Sequence, residues 1–170
     1  MLTTRLLMSG LIAFGLALAP TGVIAAEPHA HTATVAIKLD NGRKWPTDEA
    51  LRKGMGDIRT AVSEALGPIH ANKFSREGFN KLAERVQAQI DYVTANCKLP
   101  EEADHQLHVV LEQILDGVAA MKADKGRAEG ALKVAQALDL YGSHFNHAGW
   151  KIMAMENSIS NHCPIWHKSL

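Results

Sequence analysis

Four segments of the sequence repeat apolar residues at every third or fourth position, which is the spacing of one face of an α-helix. These segments cover residues 51–69, 79–97, 107–121 and 131–145. Each segment is long enough for a helix of roughly 30 Å, and short turns join them. The sequence therefore predicts an all-α fold, an antiparallel up-down-up-down four-helix bundle at residues 47–152.

Residues that favour helix ends lie between these segments. Thr47 is the predicted N-cap of the first helix, and Ser75 is the predicted N-cap of the second. Pro100 is the predicted first residue of the third helix. Gly67-Pro68 is expected to end or kink the first helix, because proline lacks the N–H that a helix interior needs.

The N-terminus has the pattern of a secretory signal peptide. Arg5 precedes an uncharged run at 6–18, and small residues follow at 22–26. This run is too short to cross a bilayer as a mature helix. We expect a signal peptide at residues 1–26, export to a bacterial periplasm, and no membrane contact after cleavage.

The segments that flank the bundle lack helical periodicity. Residues 27–46 are predicted to form an extended arm that lies on the bundle, with a turn at Asp40-Asn41-Gly42. The C-terminal tail at 153–170 is expected to fold back against the bundle end. Nothing in the composition indicates a second globular domain.

Charge and cysteine content narrow the classes of function. The chain has 18 acidic and 18 basic residues and few aromatic ones, which does not favour nucleic-acid binding. Metal ions, small molecules and periplasmic protein partners remain. Cys97 and Cys163 are expected to form a disulfide bond in an oxidising compartment, and soft metal ligands are the alternative.

Nine histidines are many for a chain of 170 residues. Antiparallel helices bring the starts of the first and third helices and the ends of the second and fourth to one end of the bundle, while His70 lies at the other end. Side chains that bind metals or haem gather at that first end. They are Met55, Cys97, His105, His108, His144 and His147, with His162, Cys163 and His167 from the tail.

Imidazole binds copper, zinc and nickel, and the thioether of methionine suits Cu(I) or haem iron. The pattern predicts a transition-metal site, with copper the preferred ion, or a non-covalent haem site. Met55, His108 and His144 are the main candidate ligands. The second choices are His105, His147, His162 and His167.

Spacing on the helices supports this hypothesis in part. His105 and His108 are three positions apart and share a helix surface, and His144 and His147 do so if the fourth helix continues towards residues 148–150. Partly buried histidines without a metal are the alternative for each pair.

Three glycines lie within the predicted helices near this end, at positions 54, 56 and 142. Each should cost about 0.5–1 kcal/mol relative to alanine unless a close neighbour compensates. They either make room beside Met55 or permit tight contact between the first and fourth helices. Both interpretations remain open from the sequence.

The early methionine and late histidine resemble those of the soluble b-type cytochrome bundles. In that family the corresponding pair holds haem iron from its two axial sides. The resemblance implies Met55 and His144 as axial ligands, with His147 as a substitute. The chain is also similar in architecture to the cytochrome c prime bundles, but it lacks their Cys-x-x-Cys-His motif.

Other classes of function are less well supported by the sequence. A non-metal protein-interaction module in the periplasm is the alternative hypothesis, because no strict ligand motif is present. No Gly-x-Ser-x-Gly or His-Glu-x-x-His motif occurs, and the Glu-x-x-His element that diiron bundles use twice occurs once. An enzyme is therefore not predicted.

Overall fold

The structure, a computed structural model, describes residues 36–153. Helices α1 (Glu49–His70), α2 (Arg76–Asn96), α3 (Glu101–Lys122) and α4 (Arg127–His144) follow in chain order. Consecutive helices pack together and α1 also contacts α4, which closes the bundle. The predicted all-α four-helix bundle is confirmed. None of the helices in these residues is long and apolar enough to span a membrane.

The most extensive contact joins α3 and α4. A Cβ atom built on Gly117 would lie 2.6 Å from Cγ2 of Val134 and 2.7 Å from the carbonyl oxygen of Gly130. Carbon atoms normally approach one another to about 3.5–4.0 Å. The backbones of the two helices therefore touch at this point, and any side chain at position 117 would separate them.

The start of α1 differs from the prediction by one residue. Ser75 caps α2 as expected, but Asp48 rather than Thr47 is the N-cap of α1. The carboxylate of Asp48 accepts a hydrogen bond of 2.7 Å from the N–H of Leu51. The Thr47 hydroxyl instead donates to the carbonyl of Asn146 at 2.8 Å and accepts from the guanidinium of Arg52 at 3.2 Å.

Two prolines, Pro68 and Pro100, occupy helix positions other than those predicted. Pro68 does not end α1, which continues to His70. Pro68 lies in the last turn of α1, so the hydrogen bond that its missing N–H cannot make is lost only at the end of the helix. Pro100 is the N-cap of α3, one position before its expected place as the first helical residue.

Helix α4 ends at His144, before the expected position near residues 148–150. Phe145 adopts an extended conformation and is buried, and the chain there pairs with the arm. The N–H of Trp45 donates to the His144 carbonyl, and the N–H of Asn146 donates to the Trp45 carbonyl, both at 2.8 Å. This pairing takes the chain away from the helix axis.

The described part of the predicted arm, residues 36–46, lies on the bundle end. Its turn is where the sequence predicted it, with positive φ at Asn41 and Gly42. The backbone N–H of Lys38 donates to the side chain of Gln106 on α3 at 2.7 Å. The arm thus connects the start of α3 with the end of α4.

Candidate metal site

We call the bundle end formed by the starts of α1 and α3 and the ends of α2 and α4 the histidine end. His105 and His108 are exposed in the first turns of α3. His144 is half-buried as the last residue of α4, and His147 is half-buried three positions later. His70, exposed at the end of α1, lies at the opposite end.

Two of these histidines have one ring nitrogen fixed by the backbone. Nδ1 of His108 lies 2.9 Å from the carbonyl oxygen of Asp104, and Nδ1 of His144 lies 2.9 Å from that of Leu140. A carbonyl oxygen only accepts hydrogen bonds, so each Nδ1 carries the hydrogen. In the neutral ring this leaves the Nε2 lone pair available, as in metal sites where a carbonyl orients the ligand.

His147 makes a different contact. The expected helical pair of His144 and His147 does not form, because α4 has already ended. Nδ1 of His147 lies 3.0 Å from the hydroxyl of the fully buried Tyr141. Burial raises the pKa of Tyr141, so the phenol keeps its hydrogen at neutral pH. The neutral ring can make this bond as either tautomer, by donating from Nδ1–H to the phenol oxygen or by accepting the phenol hydrogen at Nδ1.

Aromatic rings surround this hydrogen bond. The ring of Tyr141 stacks on Phe145 at 5.1 Å between centroids and meets Trp150 edge-on at 4.8 Å. Burial, followed by the positive charge of Arg52, lowers the pKa of His147. The cluster closes the end of α4 and holds His147 in a largely neutral form.

Met55 lies in the core and has no exposed surface. Gly54 and Gly142 do not leave open space beside it, and the open space at Gly56 lies on the half-buried side of α1. A Cβ atom on Gly54 would overlap Val93 of α2, and one on Gly142 would overlap the ring of Trp150. Gly54 thus permits contact between α1 and α2, where the sequence interpretation had suggested α1 and α4.

The second cysteine of the predicted disulfide, Cys163, lies outside the described residues, as do His162 and His167. Cys97 is the half-buried C-cap of α2, and its thiol hydrogen-bonds to the carboxylate of Asp48. Burial and then the negative charge of Asp48 raise the pKa of Cys97 to about 12. The thiol therefore keeps its proton at neutral pH, and the disulfide stays a prediction.

Asp48 connects three parts of the histidine end. Besides capping α1 and accepting from Cys97, its second oxygen accepts from the N–H of Lys98 at 2.6 Å. Burial raises the pKa of Asp48, but these hydrogen bonds outweigh it and the net pKa is lowered. From the sequence, Asp48 was expected as a carboxylate of the first turn and not as the cap, although an aspartate directly before a helix is a recognisable cap signal.

Within residues 36–153, no three His, Cys, Asp or Glu side chains lie together as a set that could hold a metal ion. Each described candidate is therefore a separate side chain, and His108 and His144 share the feature that a backbone carbonyl holds Nδ1. No protein-family model, curated protein or solved structure matches the chain.

Proposed function

We propose that the protein binds a transition-metal ion, with copper the preferred ion, at the histidine end. His108 and His144 are the proposed main ligands. The observation that carries the proposal is the backbone hydrogen bond to Nδ1 of each ring, which leaves Nε2 with its lone pair. Both residues belong to neighbouring helices and lie at the same end of the bundle.

Two imidazoles leave coordination positions for water or further ligands. His105, exposed one turn before His108, is the next choice, and His162 and His167 are proposed as further contributors from the tail. Storage, delivery, sensing and electron transfer are the roles that a small exported bundle with such a site would serve. Imidazole ligands suit copper and zinc alike, so the identity of the ion requires measurement.

A metal ion is preferred over haem because of Met55. Its side chain is fully enclosed, and the spaces next to Gly54 and Gly142 are filled by Val93 and Trp150. A haem held by Met55 and His144 would need these neighbours to move apart. The proposed surface ion at His108 and His144 does not involve Met55, Val93 or Trp150.

The test is a titration of the purified protein with Cu(I), Cu(II), Zn(II) and haemin, together with three variants. His108→Ala and His144→Ala should each weaken copper binding at least tenfold, with helical content unchanged in circular dichroism. His70→Ala removes an exposed histidine at the opposite end and is the matched control, which should bind like the wild type.

Two results would contradict the metal proposal. Equally weak copper and zinc binding by all four proteins would favour the protein-interaction module instead. A Soret band with haemin that is lost in His144→Ala but kept in His108→Ala would favour haem.

A further inference from the structure

A cleft opens between α1 and α2, away from the histidine end. Its floor consists of the buried side chains of Ala61, Ala65 and Leu82. Its volume is about 310 Å³. Small-molecule sites typically measure about 300–1,000 Å³, so this cleft has the size for a small ligand.

The end wall of the cleft is held in place by packing. The ring of Phe74 meets Phe79 edge-on, with 4.8 Å between centroids. The same ring lies against Gly78, where an added Cβ atom would come within 3.2 Å of it. The small alanines of the floor leave the depression open, and Gly78 makes room for the Phe74 ring that forms its end wall.

The rim of the cleft carries two cations and one carboxylate, from Lys81, Arg85 and Glu64. Arg85 pairs with Glu64 at 2.8 Å, and Lys81 pairs with Glu77 at 2.7 Å. All four side chains are more than half exposed. Such exposed ion pairs contribute little to stability, so a second carboxylate can displace them at small cost.

We propose that this cleft binds a small amphipathic monocarboxylate, with a short apolar chain or ring on the alanine and leucine floor. The carboxylate would lie at the rim, where the guanidinium of Arg85 donates two parallel hydrogen bonds to its oxygens and Lys81 adds a second positive charge. Both cations already have a carboxylate partner, so the head group of the ligand would take the place of Glu64 on Arg85. This site is independent of the proposed metal site.

The first experiment is isothermal titration calorimetry of the purified protein with straight-chain carboxylates from butanoate to octanoate. Affinity should rise by up to about fourfold per added methylene until the cleft is full. The primary amide of the same length keeps the shape and loses the charge, and should bind at least about tenfold more weakly than the acid. Equal affinity of acid and amide, or binding of neither, would overturn the proposal.

Two variants change the rim in opposite directions. Arg85→Gln should lower the affinity for hexanoate about tenfold or more. Glu64→Gln should raise it, because Arg85 is freed and a negative charge is removed. Arg43→Gln, at an exposed arginine of the arm, is the matched control and should leave binding unchanged. Unchanged affinity in Arg85→Gln, or weaker binding in Glu64→Gln, would contradict the assignment, provided circular dichroism shows folded protein.

Discussion

Replacing Gly117 by alanine tests the closest helix contact in the bundle. The added Cβ atom would lie 2.6 Å from Val134 and 2.7 Å from the backbone of Gly130, about 1 Å inside normal contact distance. Overpacking of this kind costs about 1–3 kcal/mol. Alanine recovers about 0.5–1 kcal/mol of helix propensity. We expect a net loss of about 1–2 kcal/mol in the free energy of unfolding.

Gly56→Ala is the matched control, because an alanine at this position in α1 would have no neighbour within 4 Å. There only helix propensity changes, and the variant should be about 0.5–1 kcal/mol more stable than the wild type. Urea unfolding followed by far-ultraviolet circular dichroism measures both changes. If Gly117→Ala proved as stable as Gly56→Ala, the close backbone contact between α3 and α4 would be refuted.

Three further predictions concern the histidine end. Asp48→Ala should destabilise the protein by about 2 kcal/mol in urea unfolding, since it removes a helix cap and leaves the N–H of Lys98 without its charged acceptor; an unchanged midpoint would refute this. The pKa of His147 is lowered from its ordinary value of 6.5 in the folded state. Below pH 6.5 this histidine therefore binds more protons in the unfolded chain than in the folded protein. Stability should therefore fall as pH drops through 6.5 and level off below the folded pKa, and His147→Gln should lose this slope. Intact mass of non-reduced protein should show a Cys97–Cys163 disulfide, worth about 4 kcal/mol in the loop-entropy model, whereas two free thiols would disprove the pairing.

Much of the fold was predictable because a helix that buries one face has apolar residues at every third or fourth position. The apolar positions expected to face the core, such as Ile58, Val86, Ile114 and Leu138, are all buried. Helix ends were less predictable. The end of α4 depends on pairing with Trp45, nearly a hundred residues earlier in the chain. The helix propensities of the residues near the end of α4 do not depend on such a distant contact, so they could not predict it.

The candidate site was predictable only at the level of helix topology. The antiparallel order brings the starts of α1 and α3 and the ends of α2 and α4 to the same end, as the sequence indicated. The ring orientations of His108 and His144 depend on hydrogen bonds to particular carbonyls, and the contact of His147 with Tyr141 depends on where α4 stops. Neither follows from spacing alone.

The central claim is that His108 and His144 together bind copper. Electron paramagnetic resonance of the protein with one equivalent of Cu(II) counts the imidazole nitrogens on the metal through their hyperfine coupling. We predict coupling from at least two nitrogens in the wild type, one fewer in each of His108→Ala and His144→Ala, and two fewer in the double variant. The same nitrogen pattern in the wild type and the double variant would contradict the claim.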